Sequence, residues 1–365
     1  MHIKNLDIKS FRGLRNVNLE RFKRLNLFVG ENNTGKTSIL EVIKLLQSPS
    51  ELGNYIQVSR YRNRSISPFN GRLTPYKSFI NMFDKREKSK EISFNTNIKG
   101  EKISICLEGE EEHIIKVVDK EEKNLFNFED DEEMNREEVN REEVLTFKGN
   151  FKFENSEGEK VKQFNFDEDE NRIGLSFKKD TNLLNIRYIS PVHHLTQNNI
   201  ISKVIKSGNK DEVIELLKIF DKKINGLEII ENRGRPVPYI EHEELGMMPL
   251  STFGDGVKKS LVIASNIVIV HDGVILIDEI ETSIHKDALE KFFNWFIKAC
   301  KKYNVQTFIA THSLEAIDAI IDSSKEYLNE IACYRLENDE GQIYVNRFPG
   351  EKLHKIRHNL GQDVR

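Results

Sequence analysis

Four short stretches of this 365-residue chain hold residue types suited to phosphate chemistry. The first is "GENNTGKTS", which fits G-x-x-x-x-G-K-[ST] from Gly30 to Thr37 and continues to Ser38. Gly30 and Gly35 let the intervening amides of Glu31, Asn32, Asn33 and Thr34 turn inward around phosphate oxygens. Lys36 then reaches the β- and γ-phosphates, and the Thr37 hydroxyl suits Mg²⁺. The second is "GVILIDEIETSIH", Gly273 to His285, where four apolar residues run into Asp278 and Glu279. Asp278 is placed to hold Mg²⁺ through water, and Glu279 to act as the general base on the attacking water. The third is "QTFIATHSLEAI", in which an apolar run delivers His312, an imidazole that could donate to a γ-phosphate. The fourth is "LSTFGDGVKKSL", where Ser251, Gly254 and Gly256 precede a helix and form an N-terminal anion site. Each has a plainer reading: a glycine turn, an acidic surface turn, a structural histidine, or a helix cap made by Ser251 or Asp255.

These residues need elements to carry them. "LNLFV" reads as a buried strand leading into the glycine loop. "TSILEVIKLLQS" follows it as a helix with Ile39, Val42, Ile43 and Leu46 on one face. "NIRYISP", "GVILIDEIE" and "VQTFIATHS" read as strands, with "DEVIELLKIFDKKI", "KKSLVIASNIVIV" and "DALEKFFNWFIKACKKY" as helices around them. Strand–helix alternation predicts an α/β fold with a mostly parallel sheet and helices on its faces. The Asp278 and His312 strands should lie side by side. "IACYRLENDEGQIYVNRF" reads as a hairpin on the sheet edge. Residues 51–90 read as irregular and basic, with Arg60, Arg62, Arg64, Arg72, Lys77, Lys85 and Arg86. Residues 91–180 read as an inserted antiparallel β-rich arm, from "EISFNTNI" to "NRIGLSFKKD". The acidic run "FEDDEEMNREEVNREEV" within it, with its repeated "NREEV", reads as a solvated loop or a partner contact. The chain thus divides into 1–90, 91–180 and 181–365: first part of the core, arm, and second part of the core.

Composition narrows the class. With 38% hydrophobic and 31% charged residues, the chain has material for a sizeable core. No window approaches the ~18 apolar residues of a membrane span, and the alternating N-terminus lacks a signal-peptide core. Cys106, Cys300 and Cys333 are too few and too far apart for a disulfide framework or a metal spacing, which suits a cytoplasmic location. A net charge of -4 does not mark a nucleic-acid binder.

Taken together and in this order, the four stretches resemble ABC-type ATPases of the SMC/RecF/OLD branch. "IKNLDIKSFRGLRNVNLE" looks like that branch's opening strand with its Phe-Arg-Gly turn. "GENNTGKTS" resembles its Walker A, "ILIDEIETSIH" its Walker B and D-loop, and "ATHS" its switch histidine. The resemblance covers about residues 1–50 and 185–350. It is nearest to the stand-alone AAA15/AAA21-type ATPases of the OLD family, which have a β-rich arm where SMC proteins have a coiled coil. It implies a head-to-tail homodimer, open to further oligomerisation, with two ATPs between the P-loop of one copy and Ser251, Gly254 and Gly256 of the other. It also implies that Arg12 touches nucleotide phosphates and that a Q-loop glutamine assists the metal, with Gln197 the candidate ahead of Gln57. "STFGDG" departs from the transporter-type LSGGQ, which argues against a membrane transporter subunit. "ISICLEGEEE" begins like a Toprim strand, but no strand ending in Asp-x-Asp follows. The expectation is therefore an ATPase that holds or licenses a separate effector, such as a Toprim nuclease in anti-phage defence. Two others stay open: a RecF-like repair ATPase binding DNA through Arg60, Arg62, Arg64 and Arg72, and a scaffold glued by ATP with little turnover.

Overall fold

The computed structural model describes residues 2–61, 73–87, 89–118, 140–170, 183–191, 198–232 and 235–365. The chain opens with β1 (Ile3–Phe11), β2 (Leu14–Leu19) and β3 (Leu25–Val29), then α1 (Lys36–Leu45), α2 (Leu52–Ser59) and α3 (Pro75–Ile80). Four strands follow: β4 (Lys90–Ile98), β5 (Glu101–Val118), β6 (Asn140–Asn155) and β7 (Gly158–Asp167). Next come β8 (Ile186–Ile189), α4 (Asn198–Lys206), α5 (Lys210–Leu217), β9 (Ile224–Asn232), β10 (Arg235–His242) and β11 (Gly246–Pro249). The remainder is α6 (Asp255–Val270), β12 (Val274–Asp278), α7 (Lys286–Lys302), β13 (Gln306–Ala310), α8 (Leu314–Ser323), β14 (Ile331–Asp339), β15 (Gln342–Pro349) and α9 (Gly350–His354).

The central sheet has the order β15-β14-β3-β13-β12-β8 and is parallel except for β15. Its inner strands β3, β12 and β13 are buried on both faces, as a parallel sheet covered twice requires. Val274, Leu276, Phe28 and Phe308 point into one core, while Ile275, Ile277, Leu27 and Ile309 point into the other. The first core also takes α1, through Ile39, Leu40, Val42 and Ile43, and the inner face of a second, antiparallel sheet. The other core is covered by α4–α8, through residues such as Val213, Leu261, Phe292 and Ile317. The helix α1 is therefore held between two sheets, and the loop before it has little freedom.

The second sheet has the order β2-β1-β4-β5-β6-β7. Its strands from β4 onward are the segment read as an inserted arm. They are antiparallel as expected, and β4 pairs with β1 from Ile3↔Ile98 to Ser10↔Ser93, with register shifts between Ile3 and Asn5 and between Ile8 and Ser10. The N-terminal hairpin and the arm are thus one sheet with a shared core, which period-2 patterning of separate strands cannot reveal. "EKISICLE" and "EHIIKVVD" form one strand, β5, rather than two. The acidic run up to residue 139 lies outside the described residues, as do Arg62, Arg64 and Arg72, but its second "NREEV" is not a loop: it begins β6, paired with β5 from Val118↔Asn140 to Ile114↔Val144.

Two segments correct the sequence reading. Residues 51–90 hold two helices, α2 and α3. The signal for α3 was present: Thr74 accepts from the Lys77 amide and Pro75 occupies the first turn. The helix read over 211–224 ends at Leu217, and Ile224 begins β9; residues 225–248, assigned to no element from sequence, belong to a sheet in the order β11-β10-β9. Pro236 and Pro238 disguise β10, but they fall where it pairs with β9 alone, so no amide is demanded on the other side.

Candidate functional site

The carboxyl ends of β3, β12 and β13 meet at one edge of the central sheet, where α/β sheets place ligands. Register sets Asp278 beside Ala310, so the acidic strand and the histidine strand are neighbours, as expected. The strand β13 in turn pairs with β3, which feeds the glycine loop.

The loop's backbone shows why glycine stands where it does. Gly30 has φ 139°, and a Cβ there would lie 2.3 Å from the Leu336 carbonyl oxygen on β14. Gly35 has φ 92° and caps α1 in a left-handed conformation. Asn33 also takes a positive φ, 65°, and the Thr34 hydroxyl donates to the Glu31 carbonyl at 2.9 Å, closing the turn. Lys36 Nζ sits inside the curve, donating to the Gly30 and Glu31 carbonyls at 2.7 and 2.6 Å. Burial lowers its pKa, opposed by the charges of Asp278, Glu279 and Glu281. Ser38 is buried in the first turn of α1, while Glu31, Asn32 and Asn33 are exposed.

Thr37 Oγ1 donates to Asp278 Oδ2 at 2.9 Å, so the structure joins the two candidate metal ligands, 241 residues apart in the chain. The same oxygen accepts from the Tyr188 hydroxyl at 3.1 Å. Burial raises the Asp278 pKa, and the donations from Thr37 and Tyr188 work against that rise. Tyr188 comes from β8 and stacks on Tyr61 with 4.6 Å between ring centroids. No sequence signal marked it; a tyrosine three positions before a proline at a strand end is too common a pattern.

Glu279 stands in the left-handed region with φ 50°, a strained conformation for a glutamate. Three contacts hold it. Its amide donates to the Ala310 carbonyl at 3.0 Å, its Oε2 accepts from Thr282 at 3.3 Å, and its carbonyl accepts from Lys259 Nζ at 2.5 Å. Lys259 is 1% exposed, and burial brings its pKa down to about 8. Glu281 organises the neighbouring turn. It accepts from Thr311 Oγ1 at 2.8 Å and from the His312 amide at 3.2 Å, and its Oε1 lies 3.3 Å from His312 Nδ1. His312 is half exposed at the same edge, tethered by that carboxylate. Lys259 and Glu281 were both missed from sequence. Glu281 could have been found, since it follows the Asp-Glu pair by two positions.

Other expected residues stand apart from this cluster. Arg12 lies in the β1–β2 turn, its guanidinium donating to Glu41 Oε2 at 2.8 Å and to the Asn81 carbonyl at 3.0 Å. Its observed partners are a buried carboxylate of α1 and a carbonyl near α3, so a phosphate contact would require it to leave them. Ser251 and Gly254 are exposed just before α6. A Cβ on Gly254 would meet nothing within 4 Å, whereas one on Gly256 would sit 2.6 Å from the Ser283 carbonyl. Gly256 is thus demanded by packing within this chain, and Gly254 is not. Gln197 lies outside the described residues, and Gln57 is exposed on α2. Among the described residues no cluster of three or more His, Cys, Asp or Glu could hold a metal, and no helix is long and apolar enough to cross a membrane.

A family model described as "AAA domain, putative AbiEii toxin, Type IV TA system" matches residues 25–318, most of the chain and every one of the four stretches. The chain belongs to this AAA_21 family. It is an ATPase with an ABC-type P-loop head fold. An "ATP/GTP phosphatase" of Helicobacter pylori is 25% identical to this AAA_21 protein over 372 residues, covering 96% of each chain. A RecF replication and repair protein of Nitrosococcus oceani is 50% identical over 46 residues, 13% of either chain. Among solved structures, an SMC head bound to the C-terminal winged-helix domain of ScpA superposes with a TM-score of 0.51 at 13% identity, covering 98% of this chain and 100% of the other. That likeness shows a shared head fold, with a mixed sheet and an antiparallel sheet around one P-loop.

Proposed function

We propose that the protein hydrolyses ATP with Mg²⁺ in a head-to-tail homodimer, and that dimer closure holds or licenses a separately encoded effector such as a nuclease. The observation that carries the hydrolytic reading is the hydrogen bond between Thr37 and Asp278, with Glu279 next in the chain on a strained, firmly held turn. Thr37 Oγ1, the Asp278 carboxylate and the Tyr188 hydroxyl form an all-oxygen set, which suits a hard divalent ion. Mg²⁺ bound there would offset the charge of the β- and γ-phosphates. In this reading Lys36 moves from the loop carbonyls to the phosphates, Glu279 takes the proton of the attacking water, and His312 donates to the γ-phosphate. Gln197 is retained as the assisting glutamine, and Arg12 as a phosphate contact that would follow its release from Glu41.

The dimer is supported by the exposed N-terminus of α6. It presents Ser251, Gly254 and amide groups of a 16-residue helix to solvent, a disposition that favours an anion from outside the chain. The effector reading is supported by the family's description as part of a toxin–antitoxin system. A RecF-like DNA-binding role is favoured only by the short RecF matches. Glu279→Gln should keep ATP affinity within about twofold, lower phosphate release at least a hundredfold, and accumulate an ATP-bound dimer in light scattering. Undiminished phosphate release would overturn the general-base role. A wild-type protein that binds ATP and dimerises without turnover would be the scaffold. Steeply salt-dependent binding of duplex DNA would favour the RecF-like role.

A further inference from the structure

The turn from Glu279 to Ile284 contains two non-glycine residues in the left-handed region, Glu279 at φ 50° and Ser283 at φ 72°. Such conformations are unfavourable for residues with a side chain and persist only where the surroundings impose them. One helix touches this turn at both strained residues. Gly256, in the first turn of α6, packs so closely on Ser283 that a Cβ would lie 2.6 Å from its carbonyl oxygen. Lys259, one turn later on the same face, donates from Nζ to the Glu279 carbonyl at 2.5 Å. Lys259 is almost fully buried, and its ammonium faces the charges of Glu281, Glu279 and Asp278. A buried lysine is costly, and an apolar side chain of similar length would fill the space at least as well. Packing alone does not account for it.

We propose that Lys259 is a positioning residue for hydrolysis: by gripping the Glu279 carbonyl it fixes the backbone that aims the Glu279 carboxylate. The same helix begins at Gly254 and Asp255, so whatever docks on its N-terminus bears on the two turns that carry Gly256 and Lys259 against the catalytic turn. The inference rests on the general-base reading of Glu279 and adds a residue that reading does not contain. Lys259→Met removes the ammonium while keeping the length of the side chain. Lys259→Arg restores a charged donor.

The expected result for Lys259→Met is a kcat reduced at least tenfold with ATP affinity within about twofold of wild type, and for Lys259→Arg a recovery of most of that loss. An unchanged kcat in Lys259→Met overturns the proposal. So does a loss of ATP affinity matching the loss of kcat, which would make Lys259 a support of the fold or of binding. Glu279→Gln, run alongside, separates the two readings. If it stops turnover and Lys259→Met does not, only the positioning role fails; if it leaves turnover intact, the general-base assignment fails first and takes the positioning role with it.

Discussion

Arg12 shows how a side chain expected at the nucleotide has other work in the fold. Its guanidinium is 13% exposed and its partner Glu41 is fully buried, with 2.8 Å between Nε and Oε2. Removing one member of a buried pair leaves an uncompensated charge, at a cost of about 3–5 kcal/mol. Arg12→Ala should therefore lower unfolding stability by about 3 kcal/mol in a denaturant titration. If Arg12 acted only on nucleotide phosphates, stability would stay level while the KM for ATP rose. Asp278 presents the opposite case. Its place at the carboxyl end of a buried strand was readable from four apolar residues running into an acid, and the structure adds the donors that keep a carboxyl with a burial-raised pKa in place.

At the scale of elements, the glycine loop depends on what surrounds it as much as on its own residues. The strand β14 sets the Leu336 carbonyl against Gly30, and the side chain of Leu14 stands 2.6 Å from where a Gly35 Cβ would be. Gly30→Ala meets an immovable carbonyl as well as a disfavoured φ. It should cost several kcal/mol in thermal unfolding and abolish ATP binding by calorimetry. Gly35→Ala strikes only the end of a leucine, so it should cost about 1–3 kcal/mol of backbone strain and weaken binding less. The loop motif was legible because its spacing is local. The carbonyl that makes Gly30 irreplaceable comes from more than three hundred residues away and has no signature of its own.

For the whole molecule, the question is whether two copies complete each other's sites. Gly254 offers a clean test because a side chain there meets nothing within 4 Å of its own Cβ. Gly254→Arg should leave the fold intact, with an unchanged Tm, and prevent the ATP-dependent dimer from forming in light scattering. Ser251→Arg should do the same. A dimer of unchanged stability in both variants would remove the trans contact. Gly256→Arg is unsuitable for this purpose, since its side chain would collide with the Ser283 carbonyl inside one copy.

The amino-acid sequence alone determined the local parts of this protein. The loop from Gly30 to Thr37, the acid-ended strand, the histidine-ended strand and the helices α1, α6 and α7 follow from spacing and periodicity within some fifteen residues, whereas α2, α3 and α4 do not. The parallel α/β core follows from their alternation, because parallel strands need a crossover between them. The tertiary structure decided what those rules do not reach. It joined β4 to β1, so that the expected arm and the N-terminal hairpin became one sheet over α1. It brought Tyr188 to Asp278, Glu281 to His312 and Lys259 to Glu279. Strand pairing and the choice of a buried polar partner are settled by which surfaces meet when the core closes. A residue's own neighbours in the chain carry no record of that meeting.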